Sequence, residues 1–296
     1  MKNILLLGGS GFVGRHVCAA LARQGHAVTV ATRRHAHARS VQTWPTVTVR
    51  EVDVFDEAAL NALMPGHDVV VNLIAVFRLV RLPDAIDFRS AAAAMLQGMT
   101  AHYLATATFP LEPGHTALVH AAAGGVGLIL SQWAKHLGAT VIGTVGSPDK
   151  AAIARAHGCD HVFGYGDFSE KTRELTGGKG VPVVYDSVGR TTFEGSMKAL
   201  ARRGILASFG EASGDPDPVP PRKLGQLGSI FLTHPSLPDY TATREELLET
   251  ANDLFAMVGS GKISIEISHT YPLRDAAQAH RDVENRKTTG SVVLLP

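Results

Sequence analysis

Residues 115–127, HTALVHAAAGGVG, decide the fold. A short apolar run, Ala117 to Val119, meets small residues and three glycines, Gly124, Gly125 and Gly127, and an apolar-periodic stretch then runs from Leu128 to Leu137 and stops at Gly138. That order is strand, tight turn, helix. Small turn residues let backbone N–H groups come close to a pyrophosphate, and the positive end of the helix then faces the anion. Ala123, Gly124, Gly125, Val126 and Gly127 are therefore the candidate pyrophosphate contacts. A glycine motif carries weight only in this strand-before, helix-after setting.

The 296 residues suffice for two domains, and 45% hydrophobic with 19% charged residues suits a globular chain with a sizeable core. A formal net charge of +1 supplies no field that would gather nucleic acid or a membrane surface. The two cysteines, Cys18 and Cys159, match no metal spacing and no disulfide framework, which points to a reducing, cytoplasmic setting. The 14 histidines form no ligand set either: His35 and His37 share a polar loop with no second pair nearby, so no metal is expected. No stretch approaches the roughly 20 apolar residues of a membrane span.

The chain opens with a second fingerprint. A strand over 3–7 leads into GGSGFVG at 8–14, in which Gly8, Gly11 and Gly14 are three apart with Phe12 and Val13 between them. Val13, Val17, Ala20 and Leu21 mark one face of a helix ending near Gly25. The next strand, 27–31, ends in Thr32-Arg33-Arg34, where an acidic residue would select the ribose hydroxyls of NAD and arginine suits the 2′-phosphate of NADP. A strand over 47–52, Asp53, a helix over 57–63 and an apolar strand over 68–75 complete a β-α-β-(α)-β-α-β run. Asp53 is a candidate cofactor contact, and of Asp53 and Asp186 one is expected to cap a turn and the other to face an adenine.

GGSGFVG at 8–14, ATRR at 31–34, VDVFD at 52–56 and DVVVNLIAV at 68–76 resemble the start of the atypical short-chain dehydrogenase/reductase family, in the branch of the nucleotide-binding accessory subunit of respiratory complex I. The chemistry of that family needs a tyrosine and a lysine four residues apart. None of Tyr103, Tyr165, Tyr185, Tyr240 and Tyr271 has a lysine four positions on. From about Phe77 the likeness changes. RLVRLPDAIDFRSAAAAMLQGMTAHYL at 78–104, HAAAGGVG at 120–127, YDSVG at 185–189, SFG at 208–210 and ENRKTTGSVVLLP at 284–296 resemble the zinc-independent quinone oxidoreductases, medium-chain reductases related to zeta-crystallin.

This second resemblance implies NADPH as cofactor. It implies that Ser147, Lys150, Tyr165 and Arg286 hold its 2′-phosphate, and that Thr100, Val188, Phe209 and Gly210 line the nicotinamide. The chemistry agrees, since a phosphate dianion calls for a lysine charge and an arginine fork. The expected substrate is a quinone or enone. No side chain stands out as acid or nucleophile, so no catalytic residue is assigned, as suits hydride transfer carried by a cofactor.

The expected fold is thus α/β, doubly wound parallel sheet of Rossmann type: a partial unit over 1–76, then a full six-strand unit over 77–296. Its strands fall at 116–121, 140–145, 161–164, 181–186, 204–209 and 229–233, and helices at 125–137, 149–157, 169–176 and 191–202. A helix over 244–257, a strand over 263–268, a helix over 273–286 and a strand over 291–295 follow. The last of these belong to a remnant, about 262–296, of a catalytic barrel whose main body does not precede the cofactor unit. The join near Val76-Phe77 therefore reads as a chimera. The other reading is a nucleotide-binding protein without turnover. Open strand edges, 68–75 and 228–233, favour a homodimer by edge pairing unless they pair within the chain.

Overall fold

The structure, a computed structural model, describes residues 1–54, 56–73 and 80–295, with the backbone alone at Phe12, Glu57 and Asn72. Two compact units divide at Arg78 and Leu79; the expected join at Val76-Phe77 lies outside the described residues.

In the first unit, strands Asn3–Leu7 (β1), Ala27–Thr32 (β2), Val47–Glu51 (β3) and Val69–Asn72 (β4) accompany helices Phe12–Arg23 (α1) and Glu57–Leu63 (α2). All pairings are parallel, in the order β3-β2-β1-β4. Four consecutive residues of β1, Ile4 to Leu7, are buried, as a central parallel strand requires. One sheet face packs Leu6, Val28 and Val30 with Cys18 of α1; the other packs Leu5, Leu7 and Ala31 with Leu60 and Leu63 of α2. Asp56 caps α2, its carboxylate accepting from the amides of Ala58 and Ala59 at 3.0 and 3.1 Å. The sequence places this last strand over 68–75; the described pairing ends at Asn72, and Ala75 lies outside the described residues.

The second unit carries strands Thr116–Val119 (β5), Thr140–Thr144 (β6), His161–Phe163 (β7), Val181–Asp186 (β8), Leu200–Ser208 (β9), Phe231–Thr233 (β10), Ile267–Pro272 (β11) and Ser291–Leu295 (β12). Its helices are Phe88–Tyr103 (α3), Gly125–His136 (α4), Pro148–Ala156 (α5), Phe168–Leu175 (α6), Phe193–Ala199 (α7), Pro221–Gln226 (α8), Leu237–Tyr240 (α9), Arg244–Gly259 (α10) and Ala276–Glu284 (α11). Six strands form one parallel sheet, β10-β9-β8-β5-β6-β7, and β11 and β12 make a separate parallel pair. The chain winds outward from β5 through β6 and β7, then returns to β8 on the other side of β5. That reversal opens a crevice beyond the carboxyl ends of β5 and β8, where open α/β sheets bind ligands.

Most other boundaries shift by one to four residues, the strands expected over 116–121 and 229–233 shortening to β5 and β10, and three differences have a clear local reason. The helix expected over 191–202 is only α7, because Thr192 is tied back to Asp186 and Arg203 takes a left-handed φ of 63° that lets β9 begin at Leu200. The strand expected over 263–268 begins at Ile267. Upstream of it the Gln132 side chain receives the Ser264 amide and donates to the Ser264 carbonyl, while Ile263 is buried against α10 and donates to Met257. The helix expected over 273–286 is a 3-10 turn, Leu273–Asp275, followed by α11, which stops where Arg286 adopts a left-handed φ of 57°.

The two glycine turns share one constraint. A Cβ on Gly127 would overlap the Ala121 carbonyl oxygen, and one on Gly14 would overlap that of Gly8. Both obstacles are backbone and cannot swing away. Gly127→Ala is therefore expected to lose about 1–3 kcal/mol, the usual cost of overpacking, and a urea melt of the variant against the wild type measures it.

Candidate functional site

The glycine turn begins with Ala121 held at φ 48°, after which Gly124 donates to the Ala121 carbonyl at 2.8 Å and α4 starts. No acidic residue stands in the first turn of α4, so its amide end is left positive. Around it opens a cavity of about 580 Å³ lined by Ala121, Ala123, Gly124, Ser147, Lys150, Tyr165, Val188 and Arg286, among others. The four residues assigned to the 2′-phosphate thus come together although 139 positions separate Ser147 from Arg286 in the chain.

Each is positioned by its element. Ser147 ends the loop after β6 and caps α5, accepting from the Lys150 amide at 3.5 Å. Lys150 Nζ donates to the carbonyls of Arg286 and Thr288 at 2.8 and 3.2 Å, so the lysine fastens the C-terminal segment to the cavity wall. Tyr165 follows β7, and burial pushes its phenol up from its ordinary value, so it stays protonated as a donor. The Arg286 guanidinium reaches the Ala212 carbonyl at 3.5 Å. Two cationic side chains and a phenol hydroxyl lining one cavity are the donor set a phosphate requires. Gly290 donates to the Ala123 carbonyl at 2.9 Å, and Ser291 Oγ donates to the Ala93 carbonyl at 2.9 Å, seating β12 beside the glycine turn.

The nicotinamide group divides. Val188 lines the cavity. Thr100 is buried in α3, Phe209 packs against the main core, and Gly210 abuts Ser187, with none of the three among the lining residues. Gly125, Val126 and Gly127 likewise form the helix start rather than the cavity surface. In the first unit, Gly11 donates to the Gly8 carbonyl at 3.0 Å, Arg33 and Arg34 are exposed, Ser10 and Thr32 hydroxyls lie 3.3 Å apart, and Asp53 is exposed after β3. Among the described residues, no three His, Cys, Asp or Glu side chains are placed to hold a metal ion.

Sequence reasoning missed the polar cluster beneath the cavity. Asp186 caps a turn, accepting from the amides of Val188 and Gly189 at 2.8 and 3.0 Å and from the Thr192 hydroxyl. Ser196 Oγ donates to its other oxygen at 2.8 Å and lies 2.8 Å from His120 Nε2, while His120 Nδ1 lies 2.7 Å from Thr144 Oγ1. Serine, histidine and aspartate meet, but not as a hydrolytic triad: the carboxylate is bonded to the serine instead of Nδ1, and Ser196 is fully buried. The signal that could have found the cluster is a histidine closing an otherwise apolar central strand.

Burial drives the His120 pKa down to about 4, and the Asp186 carboxylate, which favours the cation, only partly opposes it. The native ring stays neutral where an unfolded histidine, with its ordinary pKa near 6.5, takes up a proton. Stability is then complete above pH 6.5 and declines as pH falls from 6.5 towards 4, because the unfolded state binds the extra proton. Melting temperatures across that window should fall more steeply for wild type than for His120→Gln.

Residues 8–115 match an NAD(P)H-binding family and residues 125–253 match the zinc-binding dehydrogenase family. Quinone oxidoreductase 1 of Escherichia coli is 46% identical over 247 residues, which cover 82% of this chain and 74% of that protein. A quinone oxidoreductase of Pseudomonas aeruginosa is 49% identical, covering 76% and 70%. A 2-haloacrylate reductase of Burkholderia is 47% identical, covering 74% and 67%. The crystal structure of E. coli quinone oxidoreductase complexed with NADPH superposes with a TM-score of 0.72 at 49% identity, over 73% of this chain and 68% of that one. With a parallel six-strand sheet, a glycine turn and a phosphate-type cavity already in place, these likenesses establish that the chain belongs to the zinc-independent quinone oxidoreductases of the medium-chain dehydrogenase/reductase family.

Proposed function

We propose that the chain binds NADPH in the cavity beside Gly124 and passes its hydride to a quinone or a similarly activated alkene, without a metal. The observation that carries this reading is the gathering of Ser147, Lys150, Tyr165 and Arg286 in the same cavity as Ala123 and Gly124 at the start of α4. The nicotinamide supplies the hydride. The protein's part is to bind, orient and exclude water: the glycine turn at Ala123 to Val126, at the start of α4, takes the pyrophosphate, and Val188 marks the nicotinamide end. Similarity to both quinone and 2-haloacrylate reductases supports an electron-poor alkene as acceptor.

In the same reading, residues 77–296 are the quinone oxidoreductase cofactor domain with segments near 262–296 that pack with a catalytic barrel in that family. Residues 1–76 are a short-chain reductase-type half-unit joined directly before it. The half-unit offers a second dinucleotide site at Gly8, Gly11, Phe12, Val13 and Gly14, with Arg33 for a 2′-phosphate and Asp53 near the adenine. The edge strand β10 exposes Phe231 and Leu232 at 56% and 38%, an apolar edge suited to pairing with a second copy of the chain.

Lys150→Ala should weaken NADPH by about 1.5–3 kcal/mol more than it weakens NADH, the difference being the value of a hydrogen bond to a charged group; equal losses for both in calorimetric titration would contradict the phosphate assignment. Steady-state oxidation of NADPH with a simple quinone tests turnover, and NADPH binding with no oxidation would reduce the chain to a binding protein. Phe231→Lys should convert a dimer to a monomer in sedimentation equilibrium, and a wild type that sediments as a monomer would remove the edge-pairing proposal.

A further inference from the structure

His120 is buried to 1% exposure at the end of β5, one residue before the glycine turn, and nothing in the cofactor chemistry uses it. Its ring joins three elements. Nδ1 meets Thr144 at the end of β6, Nε2 meets Ser196 on α7, and Ser196 is bonded to Asp186 at the end of β8. One face of the ring lies 6.2 Å from the Tyr165 ring, at 29°, and Phe168 packs edge-on at 4.7 Å. Thr144 is followed by Val145, Gly146 and Ser147, and Asp186 holds the loop that presents Val188; all four of those residues line the cavity. The ring therefore stands between the two cavity walls.

Proton counting fixes its state. Besides His120, Ser196 Oγ approaches only acceptors, the Asp186 carboxylate at 2.8 Å and the Thr192 carbonyl at 2.9 Å. The Asp186 carboxylate is the strongest acceptor beside the serine and takes its proton, which leaves the Ser196 oxygen to accept from Nε2. A neutral ring then has a bare Nδ1, and that atom accepts from the Thr144 hydroxyl. Hydrogen bonds run one way, from Thr144 through His120 and Ser196 to Asp186.

We propose that His120, as its neutral Nε2–H tautomer, is a positioning residue that fixes the Thr144–Ser147 wall of the cavity against the Asp186–Val188 wall, and that preference for the 2′-phosphorylated dinucleotide depends on it. The second half rests on the reading of the cavity as the NADPH site. Ser147 and Lys150 lie directly after the Thr144 wall, so loosening that wall displaces the 2′-phosphate contacts more than the rest of the dinucleotide.

Two variants divide the network. His120→Gln keeps a donor near Ser196 and loses the acceptor for Thr144, and Thr144→Val removes the same bond with little change of volume should the glutamine variant not fold. In either, the ratio of NADPH to NADH affinity should fall about tenfold, the scale of one well-placed hydrogen bond; equal changes for both cofactors would mean that His120 only supports the fold. Long-range nitrogen-15 spectra of the ligand-free chain read the tautomer independently. The expected His120 signal is Nε2–H and constant from pH 8 to about pH 5.5. An Nδ1–H signal, or titration near 6.5, would overturn the proposal. If the wild-type chain binds neither cofactor, the selectivity claim falls with the cavity reading, while the tautomer still decides the hydrogen-bond chain.

Discussion

The site depends on one close approach, that of the start of α4 to the end of β5. Gly127 lies so near the Ala121 carbonyl that no side chain fits between them, and Gly124 folds back on the same carbonyl. Because the helix begins there, its unpaired amides sit at the reversal of strand order between β5 and β8. A longer side chain at that point would lift the helix from the sheet and remove the electropositive floor of the cavity. Gly14 and Gly8 repeat the same contact in the first unit, so the two halves of the chain solve one packing problem in one way.

The second dependence is on the last residues. Lys150 holds the carbonyls of Arg286 and Thr288, Gly290 is bonded to Ala123, and Ser291 to Ala93. These bonds bring a guanidinium from the end of α11 to a cavity whose other lining residues come mainly from the segments that follow β5 to β9. The left-handed backbone at Arg286 turns the chain at that point. A basic cavity assembled from distant segments has few purposes in a protein with almost no net charge; recognition of one phosphate is the economical one.

Much of this was legible in the sequence, where local pattern and packing agree. Strands β1, β8 and β12 and helix α2 span the residues that the sequence marks for them, 3–7, 181–186, 291–295 and 57–63, since their apolar side chains are the ones that the sheets and α2 bury. The gathering of Ser147, Lys150, Tyr165 and Arg286 was legible through family likeness alone, because nothing local brings residue 286 to residue 147. The start of β11 and the division of α7 from β9 were not legible: one is set by the Gln132 side chain from a distant helix, the other by a positive φ at an arginine. The His120 cluster escaped for a related reason. Its members are ordinary residues in sequence, and only the sheet stacks the ends of three strands and α7 beneath one cavity.

Hydrogen–deuterium exchange with one equivalent of NADPH tests the central claim, that the cavity of the second unit is the cofactor site. Slower exchange at the amides of 121–127 and 146–150 is the predicted result. Slowing confined to residues 8–14, with the second unit unchanged, would contradict it.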